Sequence, residues 1–199
     1  MSAPQDERTF TSVKSEGIQR RLIGEVIHRF ERRGLKLVAC KLAIATREKV
    51  EKLYPDDEAW YENCGRKTLE GYQKRGKIDN RSPREIGIWV RGKLIKELVG
   101  RPILAMVWQG AHAVELGRKT VGITNALEAA PGTIRGDFST DSYMLADLQE
   151  RPVRTIVHAS GSKEEAEKDI SIWFGEEEIV TYPLLEEEIL YGDGWGRAV

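Results

Sequence analysis

Strand-like and helix-like stretches alternate along this chain, and their boundaries are sharply marked. Thr9 to Lys14 alternates as a strand does, with Phe10 and Ser12 on one face. Ser15-Glu16-Gly17 reads as a turn. Ile18, Leu22, Ile23, Val26, Ile27 and Phe30 then recur at helical spacing, and Gly34 follows the basic turn Glu31-Arg32-Arg33 as a C-terminal stop. Leu35 to Leu42 is a second strand, and Thr46 caps a short helix with Val50, Leu53 and Tyr54 inward. Pro102 to Trp108 is almost wholly apolar and reads as a buried strand, ended by Gly110. Ala111 to Leu116 gives a short helix closing at Gly117. At Arg154 to Ser162 a β-branched strand end, Thr155-Ile156-Val157, runs through the small turn Ala159-Ser160-Gly161 into a helix start. Ser162-Lys163-Glu164-Glu165 fits a capping box, and Ala166, Ile170, Trp173 and Phe174 share the face of the helix that follows. This order predicts an α+β fold, a ferredoxin-like antiparallel sheet with flanking helices gathered on one side. A doubly wound parallel sheet is the alternative, but the chain has neither GxGxxG nor GxxxxGK[ST] to support it.

Residues 55–101 differ in character. Asp56 to Tyr72 reads as a helix with Trp60, Cys64 and Tyr72 inward. Ser82-Pro83-Arg84-Glu85 is a cap, a proline at the first helical position and an acidic third residue. Ile86, Val90, Leu94 and Leu98 follow as a stripe, so a helical hairpin is expected against the main domain. Residues 125–138 lack periodicity and form a long loop of the kind that usually serves function. Met144 to Leu148 reads as a helical turn and Glu176 to Val180 as a short helix. The tail, about 186–199, is acidic and then glycine-rich, and is expected to be partly mobile.

The 199 residues suit one domain. A net charge of −1 gives no basic excess to recruit nucleic acid or a membrane surface. Cys40 and Cys64 lack CxxC partners, which argues against a metal or disulfide framework and suits a reducing, cytoplasmic setting. No apolar run approaches membrane-span length, and Met1 to Glu7 lacks the basic-then-apolar order of a signal peptide.

His158 lies between a strand end and a helix N-terminus, where backbone N–H groups can hold an anion. An imidazole beside a phosphate site suggests phosphoryl chemistry. Lys14, Arg118, Thr124 and Arg135 also stand where elements end. Taken in order, the chain resembles the nucleoside diphosphate kinases. The matching segments are Glu7-Arg8-Thr9-Phe10 with Val13-Lys14, Gly17 to Arg20, Leu22 to Ile27, and Arg29-Phe30-Glu31 with Gly34. Further along come Pro102 to Gly110, Gly117-Arg118, Gly122 to Asn125, Pro131 to Phe138 and Val157-His158-Ala159-Ser160. The resemblance covers most of residues 7–182 outside two insertions, at about 56–95 and about 140–151, within a single domain spanning 1–199.

The resemblance implies a phosphotransferase that moves the γ-phosphate of ATP to nucleoside diphosphates in a ping-pong cycle. By that resemblance, His158 is the nucleophile carried as phosphohistidine, and Lys14, Arg118, Thr124, Arg135 and Thr155 hold the nucleotide. Tyr54, Ser160 and Asp169 support the histidine. Mg²⁺ is implied as a cofactor bound through phosphates and water, with no direct protein ligand. The family also implies a homo-oligomer with nucleoside di- and triphosphates as partners, broad base use and a cytoplasmic location. The apolar residues Trp60, Trp89, Val90 and Leu94 of the first insertion are candidates to cover the base.

Three positions depart from the family pattern. Thr155 stands where the family has Asn, Asp169 where it has Glu, and Gly161 where it has the Asp of Gly-Ser-Asp. These departures motivate a second expectation, a nucleotide-binding protein with weak or lost turnover that acts through a partner.

Overall fold

The computed structural model describes residues 4–193. The elements are β1 (Arg8–Val13), α1 (Ser15–Gln19), α2 (Ile23–Glu31), β2 (Lys36–Ile44), α3 (Arg47–Leu53), α4 (Glu58–Lys74) and α5 (Pro83–Leu98). They continue with β3 (Pro102–Gln109), α6 (Ala113–Val121), α7 (Ile134–Phe138), α8 (Tyr143–Leu148), β4 (Val157–Ala159), α9 (Lys163–Trp173) and α10 (Glu187–Tyr191). Single 3-10 turns cover Pro4–Asp6 and Glu176–Glu178, the second replacing the expected short helix. The strands form one antiparallel sheet in the order β2-β3-β1-β4, the ferredoxin-like arrangement.

Helices cover both faces of the sheet rather than one. The central strand β3 shows why. Ile103, Ala105 and Val107 point into a core with Phe10, Val50, Ile95, Ile170 and Trp173. Leu104, Met106 and Trp108 point the other way, into a core with Val26, Phe30, Ala113 and Ile134. A strand buried on both sides needs an unbroken apolar run, and Pro102 to Trp108 supplies it.

Several boundaries move. Ser15-Glu16-Gly17 is the first turn of α1. The expected single helix breaks at Arg21, whose φ of +60° interrupts it before α2 begins. Helix α6 passes through Gly117, which packs beside Thr9 and Phe30, and it stops at Gly122, whose φ is +85°. In the hairpin the inward positions of α4 are Tyr61, Gly65 and Tyr72, while Trp60 and Cys64 are part-buried. In α5 they are Ile86, Gly87, Ile95 and Leu98, and Val90 and Leu94 are only part-buried. The helices meet through two glycines: a Cβ on Gly65 would lie 1.7 Å from the Pro83 carbonyl oxygen, and one on Gly87 would lie 2.2 Å from that of Tyr61. Backbone-to-backbone contact decides the buried face, and a count of apolar residues alone does not see it.

The tail is ordered in part. Glu187 of α10 pairs with Lys36 at 2.5 Å and Tyr191 accepts the Ala111 N–H, so this stretch docks on the sheet end. The remainder of the expected mobile tail, 194–199, lies outside the described residues. No helix among the described residues is long and apolar enough to cross a membrane.

Candidate active site

The pairing of β4 with β1 sets His158 opposite Ser12, on the sheet face covered by α3, α5 and α9. The imidazole is 19 % exposed and its ring centre lies 5.9 Å from that of Phe10. Its Nε2 is 2.9 Å from Oδ2 of Asp169, one helical stretch away on α9. The same carboxylate oxygen accepts the Ser160 hydroxyl at 2.8 Å. Asp169 is 1 % exposed, so both bonds form away from water. With Nε2 facing a carboxylate, the proton belongs there and Nδ1 carries the lone pair.

The backbone leading into this strand is strained. Ile156 has φ +64°, an outlier for a β-branched residue. Glu16 offsets the strain: its Oε1 accepts the N–H groups of both Thr155 and Ile156 at 3.1 Å. The Lys14 N–H adds a bond to the Ile156 carbonyl at 2.8 Å. Glu16 was not foreseen as a site residue. Its position at the start of a helix that sequence reads as a turn is the only signal it leaves.

The cations divide into two kinds. Lys14 ends β1 and its Nζ donates to Thr155 Oγ1 at 3.0 Å, so Thr155 holds the lysine that the sequence sets against phosphate. Burial pushes the Lys14 pKa down, with Glu16 opposing and the Arg135 charge adding to the shift. Arg135 is 4 % exposed and donates to the carbonyls of Thr155, Gly122 and Val157 at 3.3, 2.7 and 2.8 Å. Burial, and then the charge of Arg118, lowers its pKa to about 10. A guanidinium has five N–H groups, so two remain for a ligand. Arg118 on α6 is exposed and donates to the Ala159 carbonyl at 3.3 Å. Thr124 follows α6 and is part-buried.

Tyr54 caps the C-terminal end of α3 and is part-buried beside the hairpin, its carbonyl accepting from Arg91 Nε at 2.8 Å. Burial raises its hydroxyl pKa, and the carboxylates of Asp169 and Glu165 add to this, so the phenol stays protonated as a donor. Its ring meets Trp60 edge-on at 6.2 Å. Lys14 and Tyr54 line a narrow void of about 10 Å³ with Leu94, Glu97 and the segment Pro152 to Arg154, and His158 is not part of its lining. Trp89 lies away from it under Arg81 and Lys93.

One group of metal-ligating types gathers among the described residues, His158, Glu165 and Asp169, with ligand atoms within 4.8 Å of one another. Asp169 already serves His158 and Ser160, and Mg²⁺ favours an octahedron of oxygens. The set does not make a magnesium cage.

The family model for nucleoside diphosphate kinase matches residues 7–64 and 90–179. The chain belongs to the nucleoside diphosphate kinase family. A nucleoside diphosphate kinase of Pyrobaculum aerophilum is 44% identical over 179 residues, covering 87% of this chain and 98% of the relative. That of Drosophila melanogaster is 35% identical over 189 residues, covering 95% and 99%. Among solved structures, an NDP kinase from Pyrobaculum aerophilum superposes with a TM-score of 0.83 at 42% identity, covering 88% of this chain and 99% of that one. A nucleoside diphosphate kinase from Borrelia burgdorferi, a transition-state mimic with bound vanadate and ADP, superposes with a TM-score of 0.75 at 32% identity, covering 93% and 96%. Residues 65–89, the hairpin turn and the halves of α4 and α5 beside it, fall outside the family match.

Proposed function

We propose that this chain is a working nucleoside diphosphate kinase in which His158 takes the γ-phosphate of ATP and passes it to a second nucleoside diphosphate. The observation that carries this reading is the bond from His158 Nε2 to buried Asp169, which leaves Nδ1 as the nucleophile. Neutral imidazole needs no separate base for the attack. Arg118, Thr124 and the two uncommitted N–H groups of Arg135 stabilise charge spreading over the equatorial oxygens, while Lys14 and the Tyr54 hydroxyl hold the phosphates in line. Mg²⁺, carried by the triphosphate, supplies neutralisation of the phosphate charge. The departures at Thr155 and Asp169 support turnover, since Thr155 bonds Lys14 and Asp169 reaches the histidine despite its shorter side chain.

The insertions at about 56–95 and about 140–151 form, in this reading, a cover over the nucleotide cleft within a single domain. Support comes from Leu94, which lines the narrow void beside Lys14 and Tyr54, and from ties between the insertions: Arg75 and Lys77 to Asp147, and Lys93 to the Glu150 carbonyl. A homo-oligomer is supported by the edge strand β2, which exposes Leu42 at 63 % and Ile44 at 58 %. A cytoplasmic location suits the two free cysteines.

The test is incubation with γ-labelled ATP followed by a GDP chase. Acid-labile label on the protein that moves to GTP is expected, and His158→Asn abolishes it while nucleotide binding survives. His28→Asn and His112→Asn behave as wild type. A protein that binds ATP but never becomes labelled sinks the reading and leaves a nucleotide-binding role.

A further inference from the structure

The turn after the nucleophile lacks the aspartate of the family pattern. Its third residue is Gly161, which is not there for backbone reasons, because glycines with a left-handed φ lie elsewhere in the chain. What fills the side-chain space is Glu165. Its Oε2 accepts the Gly161 N–H at 2.8 Å, and a Cβ on Gly161 would come within 2.9 Å of that oxygen. An acidic residue at the third position of a capping box bonds the cap residue itself. Here Ser162 accepts the Glu165 N–H at 3.1 Å as expected, but the Glu165 carboxylate reaches one residue further back, toward the histidine. It lies within 4.8 Å of ligand atoms of His158 and Asp169, and its charge is felt at the Tyr54 hydroxyl.

We propose that Glu165 is a positioning residue of the phosphotransfer site, supplying from the first turn of α9 the carboxylate that residue 161 lacks. Resting on the reading that His158 is the nucleophile, the proposal assigns Glu165 a defined task. Its bond to the Gly161 N–H anchors the turn from one end. That turn presents the Ala159 carbonyl to Arg118 and the Ser160 hydroxyl to Asp169. Without the anchor, the turn loosens beneath the imidazole, and in-line geometry is lost more than nucleotide affinity.

The test measures single-turnover labelling by γ-labelled ATP, ADP affinity and melting temperature on four proteins besides wild type. Glu165→Ala is expected to slow labelling about tenfold, the worth of one charge-assisted hydrogen bond, with ADP affinity unchanged. Glu165→Gln keeps an acceptor and restores most of the rate. Glu165→Ala with Gly161→Asp returns a carboxylate to the vacated space and also restores it. Gly161→Ala alone pushes the Glu165 carboxylate aside and slows labelling as Glu165→Ala does, which keeps the test available if the latter folds poorly. Wild-type labelling rates in both Glu165→Ala and Gly161→Ala overturn the proposal. So does slow labelling in Glu165→Ala that neither Gln nor the relocated aspartate restores. Failure of the wild-type protein to label at all is a different result, since it removes the kinase reading itself.

Discussion

Asp169 and His158 meet at 2.9 Å although the carboxylate sits on a side chain one methylene shorter than the family's glutamate. Ser160 completes the arrangement, because its hydroxyl binds the same oxygen from the turn side. The acceptor is thus fixed from two directions before any nucleotide arrives, which holds the imidazole in one tautomer.

Replacing Asp169 with Ala removes both bonds, leaving the His158 ring without its acceptor and the Ser160 hydroxyl with only the longer contact to the Phe10 carbonyl at 3.4 Å. The expected cost is about 1–3 kcal/mol of stability for the lost partner. Labelling of His158 is expected to slow by about ten- to a hundredfold from lost orientation. Asp169→Glu keeps the charge and is expected to retain most activity after a small shift of the ring. Denaturant melts and single-turnover labelling of the two variants check this. Equal rates for Asp169→Ala and wild type would show that the pair is structural only.

The family resemblance gives Arg118 and Arg135 the same task of holding phosphate, and the fold separates them. Arg118 is exposed and its bond to the Ala159 carbonyl is long, at 3.3 Å, so Arg118→Ala should leave stability nearly unchanged. Its transfer rate should drop by about 10²–10³-fold, as when a single donor to the transferring group is removed. Arg135 braces three carbonyls from inside, so Arg135→Ala should lose both transfer and about 1–3 kcal/mol or more of stability. Paired melting and kinetic measurements decide, and a fully stable Arg135→Ala variant would contradict the bracing role.

How much of this was legible beforehand depends on the range of the interaction. Thr46, Asp57, Ser82 and Ser162 each cap the helix that follows, because a cap is made by residues three apart. The pairing of His158 with Asp169 is marked in the sequence only through the family resemblance, which sets an acid eleven residues beyond the histidine. Arg135 lies far in sequence from the carbonyls that bury it, and Glu16 is 139 residues from Thr155. Nothing local in the chain marks such contacts. Lys93 makes the same point. It lies 3.9 Å above the Trp89 ring and donates to the Glu150 carbonyl, 57 residues away.

Burial of Lys14 carries a pH signature. Its pKa is lowered in the folded protein, so between that value and the ordinary 10.5 the unfolded chain binds more protons than the folded one. Stability linked to Lys14 therefore rises with pH across this alkaline window, and the cost of burying the charge is fully present below it. Lys14→Met removes the charge and is expected to flatten that slope and to raise the melting temperature at neutral pH, while transfer collapses. Melting curves of both proteins at neutral and alkaline pH test this. An unchanged slope in Lys14→Met would mean that the lysine is hydrated in the absence of nucleotide.

The hairpin offers the last test, because its two helices lock through backbone contact. A Cβ on Gly87 meets the backbone of Tyr61, which cannot rotate away, so Gly87→Ala is expected to destabilise by about 1–3 kcal/mol through overpacking. Gly92, on the same helix, has nothing within 4 Å of its Cβ position, and Gly92→Ala is expected to stabilise by about 0.5–1 kcal/mol through helix propensity. Ile86 is fully buried, so Ile86→Ala should cost about 2–5 kcal/mol. Leu94 is part-buried and lines the narrow void beside Lys14, so Leu94→Ala should cost less than Ile86→Ala in stability and, if α5 covers the nucleotide, more in nucleotide affinity. Hydrogen exchange with and without ADP separates the roles of the hairpin. Protection gained across 84–96 on ADP binding is expected if α5 covers the nucleotide. Protection that instead follows protein concentration, with ADP making no difference, would assign α5 to contacts between copies of the chain and leave the base to other residues.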